Sequence, residues 1–325
     1  MTAILEARNL SKTYKIRSRG KDAPKTVEAV KSVDITIAAG EVVGFLGPNG
    51  AGKTTTLRMI TTLLDPTGGT AMVAGHDLRA DPVGVRRSIG YVAQMGTTDP
   101  NALVGEELID HARLYGIDPK VAAARGRTLL SDLDLDGMWT RKCGSLSGGQ
   151  RRRLDIAMGL IHEPRLVFLD EPSTGLDPQS RANLWHHIAR LRDDYGTTVF
   201  ITTHYMDEAD ALCDRILIID HGEIVAEGTP EELKRRVGGD QVILTVAPVD
   251  AERTVIAAAA LVADSHPESD GGEVRLISAD GGKALPSLLA GLAKAGIDVQ
   301  GVSVRRPTLD DVFLTLTGRS LRDGD

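Results

Sequence analysis

Hydrophobic and polar positions follow two regimes along this 325-residue chain. As far as about residue 240, short runs that are apolar at every position are separated by segments with apolar residues three and four apart. That is the pattern of strands buried on both faces between layers of helix. EVVGFLG (41–47), RLVFLD (165–170) and TTVFITT (197–203) predict three such strands, and a glycine-rich turn after the first leads into a helix from Lys53 to about Leu64. Between about residues 96 and 164 the strand pattern disappears, and VGEELIDHARLYG and DPKVAAARGRTLLSDL predict helices instead. The expected fold class is therefore α/β, a largely parallel sheet with a helical insert. Within that insert, SLSGGQRRRLDIAMGL (145–160) predicts a helix with Ser147 as its N-cap and Leu154, Ala157, Leu160 and Ile161 as its apolar stripe.

The last eighty-odd residues alternate differently. VILTVA, ERTVIAAAALV, EVRLIS, ALPSLLAGLAKAG and DVQGVSV read as strand, helix, strand, helix, strand. One further short strand before Gly271 completes a ferredoxin-like βαββαβ pattern, with SHPESDGGE as its exposed turn and TLDDVFLTLTG as a closing helix. The expected domains are 1–239, with the insert at about 96–164, and 240–325 as a small α+β accessory domain.

Composition narrows the classes of function. Hydrophobic residues at 42% and charged residues at 26% suit a globular chain with a real core. Aromatics at 3% are too few for the repeated base stacking of a single-strand binder, and a net charge of −7 argues against a simple electrostatic nucleic-acid binder, so no nucleic acid is expected as a partner. Cys143 and Cys213 match no metal spacing and are expected to be reduced, partly buried small residues. MTAILEARNL has no basic leader followed by an apolar core, and VIAAAALVA (255–263) is far too short to span a membrane. A cytoplasmic protein is expected, with any membrane role exercised through a partner. Residues 12–25, KTYKIRSRGKDAPK, carry six Lys/Arg against one Asp; a solvated loop is favoured over a contact with anionic lipid headgroups or nucleic acid.

The candidate chemistry starts at GPNGAGKT, residues 47–54, which fits G-x-x-x-x-G-K-[ST] between a strand and a helix. Glycines there let successive amides wrap a polyphosphate, Lys53 reaches the outer phosphates and the Thr54 hydroxyl sits on Mg²⁺. LVFLDE (166–171) supplies the complement: Asp170 at a strand end is placed to hold the metal, and Glu171 can polarise water as a general base. His204 ends another strand at the carboxyl edge where ligands of α/β proteins gather. Gln94 follows a strand-like run, and its amide can ligand a metal or orient water. The three arginines 151–153 are read as solvated charge, pairing with Asp155 or the acidic EELIDH helix, and are given no role.

This ordered set resembles the nucleotide-binding subunits of ABC transporters, a family of P-loop ATPases, and the resemblance covers residues 5–235. GPNGAGKT looks like the Walker A motif, so Gly47, Pro48, Asn49, Gly50, Ala51, Gly52, Lys53, Thr54 and Thr55 are expected to contact ATP. Gln94 looks like the Q-loop, LSGGQ (146–150) the signature, LVFLD with Glu171 the Walker B, and STGLD (173–177) the D-loop, ending in Asp177. His204 looks like the switch histidine and Tyr14 like the ring that stacks on adenine. The resemblance implies a head-to-tail homodimer, in which Ser147, Gly148, Gly149 and Gln150 of one chain face the γ-phosphate held by the other. It implies Glu171, His204 and Lys53 as catalytic residues, Thr54, Gln94 and Asp170 around Mg²⁺, and ATP hydrolysis coupled to a separate integral-membrane permease. HEPRLVFLDEPSTGLDP, RRRLD, THYMDEAD and RRPTLDDVFLTLTGR are similar to daunorubicin-resistance ATP-binding subunits, which serve drug and lipid exporters. A peripheral place on the cytoplasmic face of the membrane follows. The departure is KIRSRGKDAPKT, which looks longer than is usual between Tyr14 and Gly47. The rival reading is a soluble ABC ATPase acting on the ribosome or DNA, which usually carries two cassettes, a coiled coil or a zinc insert. A regulatory module without turnover is disfavoured by Glu171 and His204.

Overall fold

The computed structural model describes residues 3–16, 25–262 and 265–318. Most of the basic 12–25 stretch lies outside them. Strands β1 (Ala3–Ile16) and β2 (Lys25–Ala38) pair antiparallel, and the short β3 (Val42–Leu46) follows. Helix α1 (Lys53–Ile60) leaves β3, and β4 (Gly68–Val73), β5 (His76–Asp77), α2 (Pro82–Ser88) and β6 (Ile89–Val92) come next. The insert holds α3 (Val104–Leu114), α4 (Pro119–Asp132) and α5 (Gly148–Leu160). Beyond it lie β7 (Leu166–Asp170), α6 (Pro178–Tyr195), β8 (Thr198–Thr203), α7 (Met206–Leu212), β9 (Arg215–Asp220) and β10 (Glu223–Gly228). Residues 1–229 form one compact unit.

Its six-stranded sheet runs β10-β9-β3-β8-β7-β6, parallel except for the β10 edge. Every residue of β3, β7 and β8 is buried, which is why these strands are apolar at consecutive positions rather than alternating. Phe200 packs between Phe45 and Phe168, with ring centroids 5.5 and 5.6 Å away. The register sets Leu46 beside Thr203 and Asp170 beside Thr202, so the turns leaving β3, β7 and β8 open on one edge of the sheet. A second sheet, β2-β1-β4-β5, supplies Leu5, Leu10, Ile35 and Ile37 to the same core.

Two details differ from the sequence pattern. Helix α1 stops at Ile60, four residues short of the expected end, because Thr62 turns left-handed at φ +63 and the Leu63 and Leu64 amides both fold back onto the Arg58 carbonyl. Helix α5 is not amphipathic: every residue from Leu154 to Leu160 is buried, and so is Arg152. Its neighbours α3, α4, α6 and β6 enclose it, so polar residues on α5 must find partners inside the protein. Both cysteines are buried free thiols.

Residues 230–323 form a second compact unit. It comprises α8 (Pro230–Arg236), β11 (Asp240–Val246), α9 (Ala251–Leu261), β12 (Glu268–Asp270), β13 (Glu273–Ser278), α10 (Gly281–Lys294), β14 (Val299–Arg305) and α11 (Leu309–Thr317). The antiparallel order β12-β13-β11-β14 is the ferredoxin-like arrangement, with the short β12 where the pattern called for one. Val242, Leu244, Val274 and Leu276 of the sheet pack against Ala258 of α9 and Leu288 and Leu292 of α10. Helix α11 starts on a Thr308–Asp311 capping box, ends at left-handed Gly318 and packs on α8.

Candidate active site

The turn after β3 takes its shape from its glycines. Gly50 and Gly52 sit at φ +78 and +110, and a Cβ on Gly47 would lie 2.3 Å from the Ile219 carbonyl oxygen. Only glycine fits where backbone meets backbone so closely. The turn delivers Lys53 as the first residue of α1, almost fully buried, with its ammonium donating to the Gly47 and Pro48 carbonyls at 2.6 and 3.1 Å. No side chain caps α1, so its first-turn amides, including those of Thr54 and Thr55, remain free to bind an anion. Five N-terminal positions, Gly47 to Ala51, thus form the wall of a cradle whose floor is a helix N-terminus and a buried cation. These residues fit a polyphosphate.

Across the sheet edge, Asp170 and Glu171 leave β7. Thr202 on β8 fixes both: its hydroxyl donates to Asp170 Oδ1 at 2.6 Å and accepts the Glu171 amide at 3.0 Å. Glu171 stands at φ +44, a left-handed conformation rare for a residue with a side chain, at a cost of about 1 kcal/mol. The strain turns its carboxylate into the centre of four groups. Lys53 Nζ lies 3.6 Å from Oε1, while Oε2 accepts from Gln94 Nε2 at 2.9 Å and from the Thr174 hydroxyl at 3.2 Å. His204 Nδ1 lies 3.5 Å from the same Oε2, outside hydrogen-bonding alignment. The His204 contact, reinforced by Lys53, holds the Glu171 carboxyl below the usual carboxylate range against the opposing effect of burial. Burial pushes the neighbouring Asp170 carboxyl up and pulls the Lys53 ammonium down, each opposed by its partners. The two adjacent carboxyls are thereby set apart: Glu171 is the more readily ionised and Asp170 the more reluctant.

Thr54, Gln94 and Asp170 offer a hydroxyl, an amide oxygen and a carboxylate, all hard oxygen donors. Among the described residues no group of three His, Cys, Asp or Glu side chains could hold a metal unaided. The donor set suits a Mg²⁺ ion shared with phosphate oxygens.

The remaining predicted residues stand at the starts of α5 and α6 and on β1. Ser147 caps α5: its Oγ accepts the Gln150 amide at 3.2 Å, and its own amide donates to Gln150 Oε1 at 3.0 Å. A Cβ on Gly148 would lie 4.0 Å from Leu176, and one on Gly149 would crowd the Ser180 hydroxyl at 3.0 Å. Asp177 caps α6, accepting from the Ser180 amide and hydroxyl at 2.9 and 2.6 Å. Tyr14 stands on β1 opposite Val27, 38% exposed, with the Lys12 ammonium 5.4 Å from its ring centre.

Sequence reasoning missed several supports. Thr202 gives no signal in the sequence, and Thr174 figures there only as part of STGLD, with no role of its own. Ser173, Trp185 and Glu208 form a buried knot: the Ser173 hydroxyl donates to Glu208, and Trp185 Nε1 lies 3.1 Å from both. Burial pushes the Glu208 carboxyl up. The reading of residues 151–153 as solvated charge is wrong for two of the three. Arg152 is buried, and Arg153 donates to the Leu133 and Asp134 carbonyls at 2.8 and 3.3 Å. Burial of α5 on all sides is the reason, and no periodicity in the arginine run foretold it.

A family model described as ABC transporter matches residues 30–174, and one described as ATP-binding protein DrrA1-3-like, C-terminal domain, matches residues 228–317. Over 300 residues the chain is 41% identical to the doxorubicin resistance ATP-binding protein DrrA of Mycobacterium tuberculosis (strain CDC 1551 / Oshkosh), covering 90% of this chain and 89% of that protein. The chain belongs to the ABC transporter ATP-binding proteins. This ABC protein is also 43% identical over 297 residues to the daunorubicin/doxorubicin resistance ATP-binding protein DrrA of Streptomyces peucetius, covering 91% and 89% of the two chains. The solved dimeric structure of a bacterial ABC transporter cassette superposes with a TM-score of 0.61 at 27% identity, over 69% of this chain and 98% of that one. The family binds ATP, and the chain is an ABC ATPase with the P-loop fold that its motifs called for. Among the described residues no helix is long and apolar enough to cross a membrane.

Proposed function

We propose that this ATPase powers a drug exporter whose membrane-spanning permease is a separate polypeptide, and that it works as a head-to-tail homodimer on the cytoplasmic face of the membrane. The observation that carries the reading is the convergence on one carboxylate, Glu171, of Lys53, Gln94, Thr174 and His204 from four separate segments. Glu171 accepts the proton of the attacking water, Lys53 and the amides of residues 47–55 neutralise phosphate charge, and His204 orients the outer phosphate. Thr54, Gln94 and Asp170 would hold Mg²⁺, which when bound would offset the charge of the phosphates. Tyr14 stacks on adenine. Ser147 to Gln150, with Asp177 nearby, complete the partner's site, which gives the capped signature turn an anion to bind.

Cargo of the antibiotic type is supported by the names of the relatives, two doxorubicin resistance proteins among them. Docking of the permease is supported by a cleft of about 290 Å³ beside Gln94, lined by Tyr91, Met95, His111, Tyr115, Asp155 and Met158. Met95, 82% exposed at its mouth, gives an incoming apolar side chain something to cover. The test is recovery of tagged Glu171→Gln protein with ATP from detergent-solubilised host membranes. One stoichiometric polytopic chain supports the exporter; ribosomes or DNA-repair proteins with no membrane chain overturn it.

A further inference from the structure

Arg152 lies two residues after the signature turn, and only 7% of it is exposed. Its guanidinium does not rely on an acid: Asp155, the nearest carboxylate, is 4.0 Å away. Instead its three nitrogens donate to three backbone carbonyls, Nε to Pro172 at 2.9 Å, Nη1 to Ala93 at 2.5 Å and Nη2 to Asp170 at 3.0 Å. Asp170 and Pro172 are the residues on either side of Glu171, and Ala93 is the residue before Gln94. Gln94 in turn donates to the Glu171 carboxylate. One side chain on α5 therefore holds the peptide unit that enters the strained Glu171, the one that leaves Pro172, and the residue that leads into its amide partner Gln94.

We propose that Arg152 is a positioning residue, through which engagement of a chain's signature turn sets the orientation of that same chain's Glu171. This rests on the two-chain reading above, in which phosphate held by the partner meets Ser147 to Gln150. Any displacement of α5 on that encounter is carried by the fork to residues 93, 170 and 172, because three fixed donors in one plane leave it no independent movement. Each chain's general base is thus tied to whether its own signature turn is occupied, and the two composite sites of a dimer are coupled. A buried arginine that only fastens α5 to the core would cost stability when replaced but would not act selectively on turnover.

The experiment uses the full chain with Arg152→Lys and Arg152→Gln. The readouts are melting temperature, affinity for a fluorescent ATP analogue, steady-state ATP hydrolysis and, in a Glu171→Gln background, mass by light scattering with ATP and Mg²⁺. Lysine keeps the charge but cannot reach three carbonyls. The expected result is a folded protein that binds nucleotide within about threefold of wild type and still dimerises in the Glu171→Gln background. Its kcat falls roughly 10- to 100-fold with KM little changed, less for lysine than for glutamine. Unchanged kcat in folded Arg152→Lys, or a loss of kcat that merely tracks the fraction unfolded, overturns the proposal. If neither variant folds, amide exchange decides: Ser147→Arg must alter protection at residues 94–96 and 171–174 of its own chain, and unaltered protection overturns the coupling. Failure of Glu171→Gln alone to dimerise with ATP overturns the two-chain reading and the coupling with it; a normal Glu171→Gln dimer with normal Arg152→Lys turnover overturns the coupling alone.

Discussion

Replacing Asp155 with asparagine is expected to stabilise the protein at pH 8 and to make it more sensitive to acid. Asp155 is 9% exposed on α5, and its Oδ1 has no hydrogen-bond partner. Burial pushes its carboxyl from 3.8 up to about 6; Arg152 and Arg151 oppose the rise and Glu107 adds to it. The folded chain therefore takes up a proton between these values that the unfolded chain does not, so this group's stabilisation is full below pH 3.8 and lost as the pH rises through 6. At about 1.36 kcal/mol per pH unit the ionised carboxylate costs about 3 kcal/mol above pH 7. His162 works in the opposite sense. Stacked on Tyr115 at 3.8 Å, with Nε2 2.9 Å from the Ile89 carbonyl oxygen, it is pulled by burial from 6.5 to about 4. Its stabilisation is present above pH 6.5 and lost as the pH falls through 4, by a similar 3 kcal/mol or so. In the wild type the two offset each other; in Asp155→Asn the histidine acts alone. Because three carbonyls satisfy Arg152, it does not need the carboxylate. Allowing for the amide left buried, the gain at pH 8 is about 1–2 kcal/mol, a rise of roughly 3–6 °C in Tm for a unit of this size. Circular-dichroism melts at pH 8, 6 and 5 measure it. An Asp155→Asn protein that melts lower than wild type at pH 8 would show that the Arg152–Asp155 pair is a net stabiliser and would refute the reasoning.

Other expectations follow from the same geometry. Glu171→Gln should lower the ATP hydrolysis rate by about 10²- to 10⁴-fold without weakening nucleotide binding, measured by phosphate release and by titration with a fluorescent analogue. Gly47→Ala puts a methyl group 2.3 Å from the Ile219 carbonyl oxygen, so nucleotide binding should be lost along with part of the stability, as titration and melting will show. Phe200→Ala removes the ring between Phe45 and Phe168 and should cost about 3–5 kcal/mol in denaturant unfolding, lowering nucleotide affinity only through the fraction unfolded.

The parts of this protein visible in the amino-acid order are those where local chemistry and position agree. Continuous apolar runs gave β3, β7 and β8 because both faces of these strands are covered. Glycines at 50 and 52 announced a turn whose positive φ values need them. What stayed hidden depends on enclosure by distant segments. The arginines at 151–153 look alike in sequence, yet Arg151 is exposed while Arg152 is buried among residues 93, 170 and 172, brought together only by the fold. Thr202 is likewise an ordinary strand threonine until β7 and β8 align in register and set it beside Asp170. The apolar spacing continues through Leu63 and Leu64 and so overstates α1, whose backbone turns left-handed at Thr62.

The central claim is that two copies of this chain are needed to complete each ATP site, the cradle from one and the signature turn from the other. Light scattering of Glu171→Gln protein at micromolar concentration, with and without ATP and Mg²⁺, tests it most directly. The account predicts a mass that doubles on adding ATP and returns to that of one chain when Ser147→Arg is also present. A mass of one chain with ATP bound, or a doubling indifferent to Ser147→Arg, would contradict it.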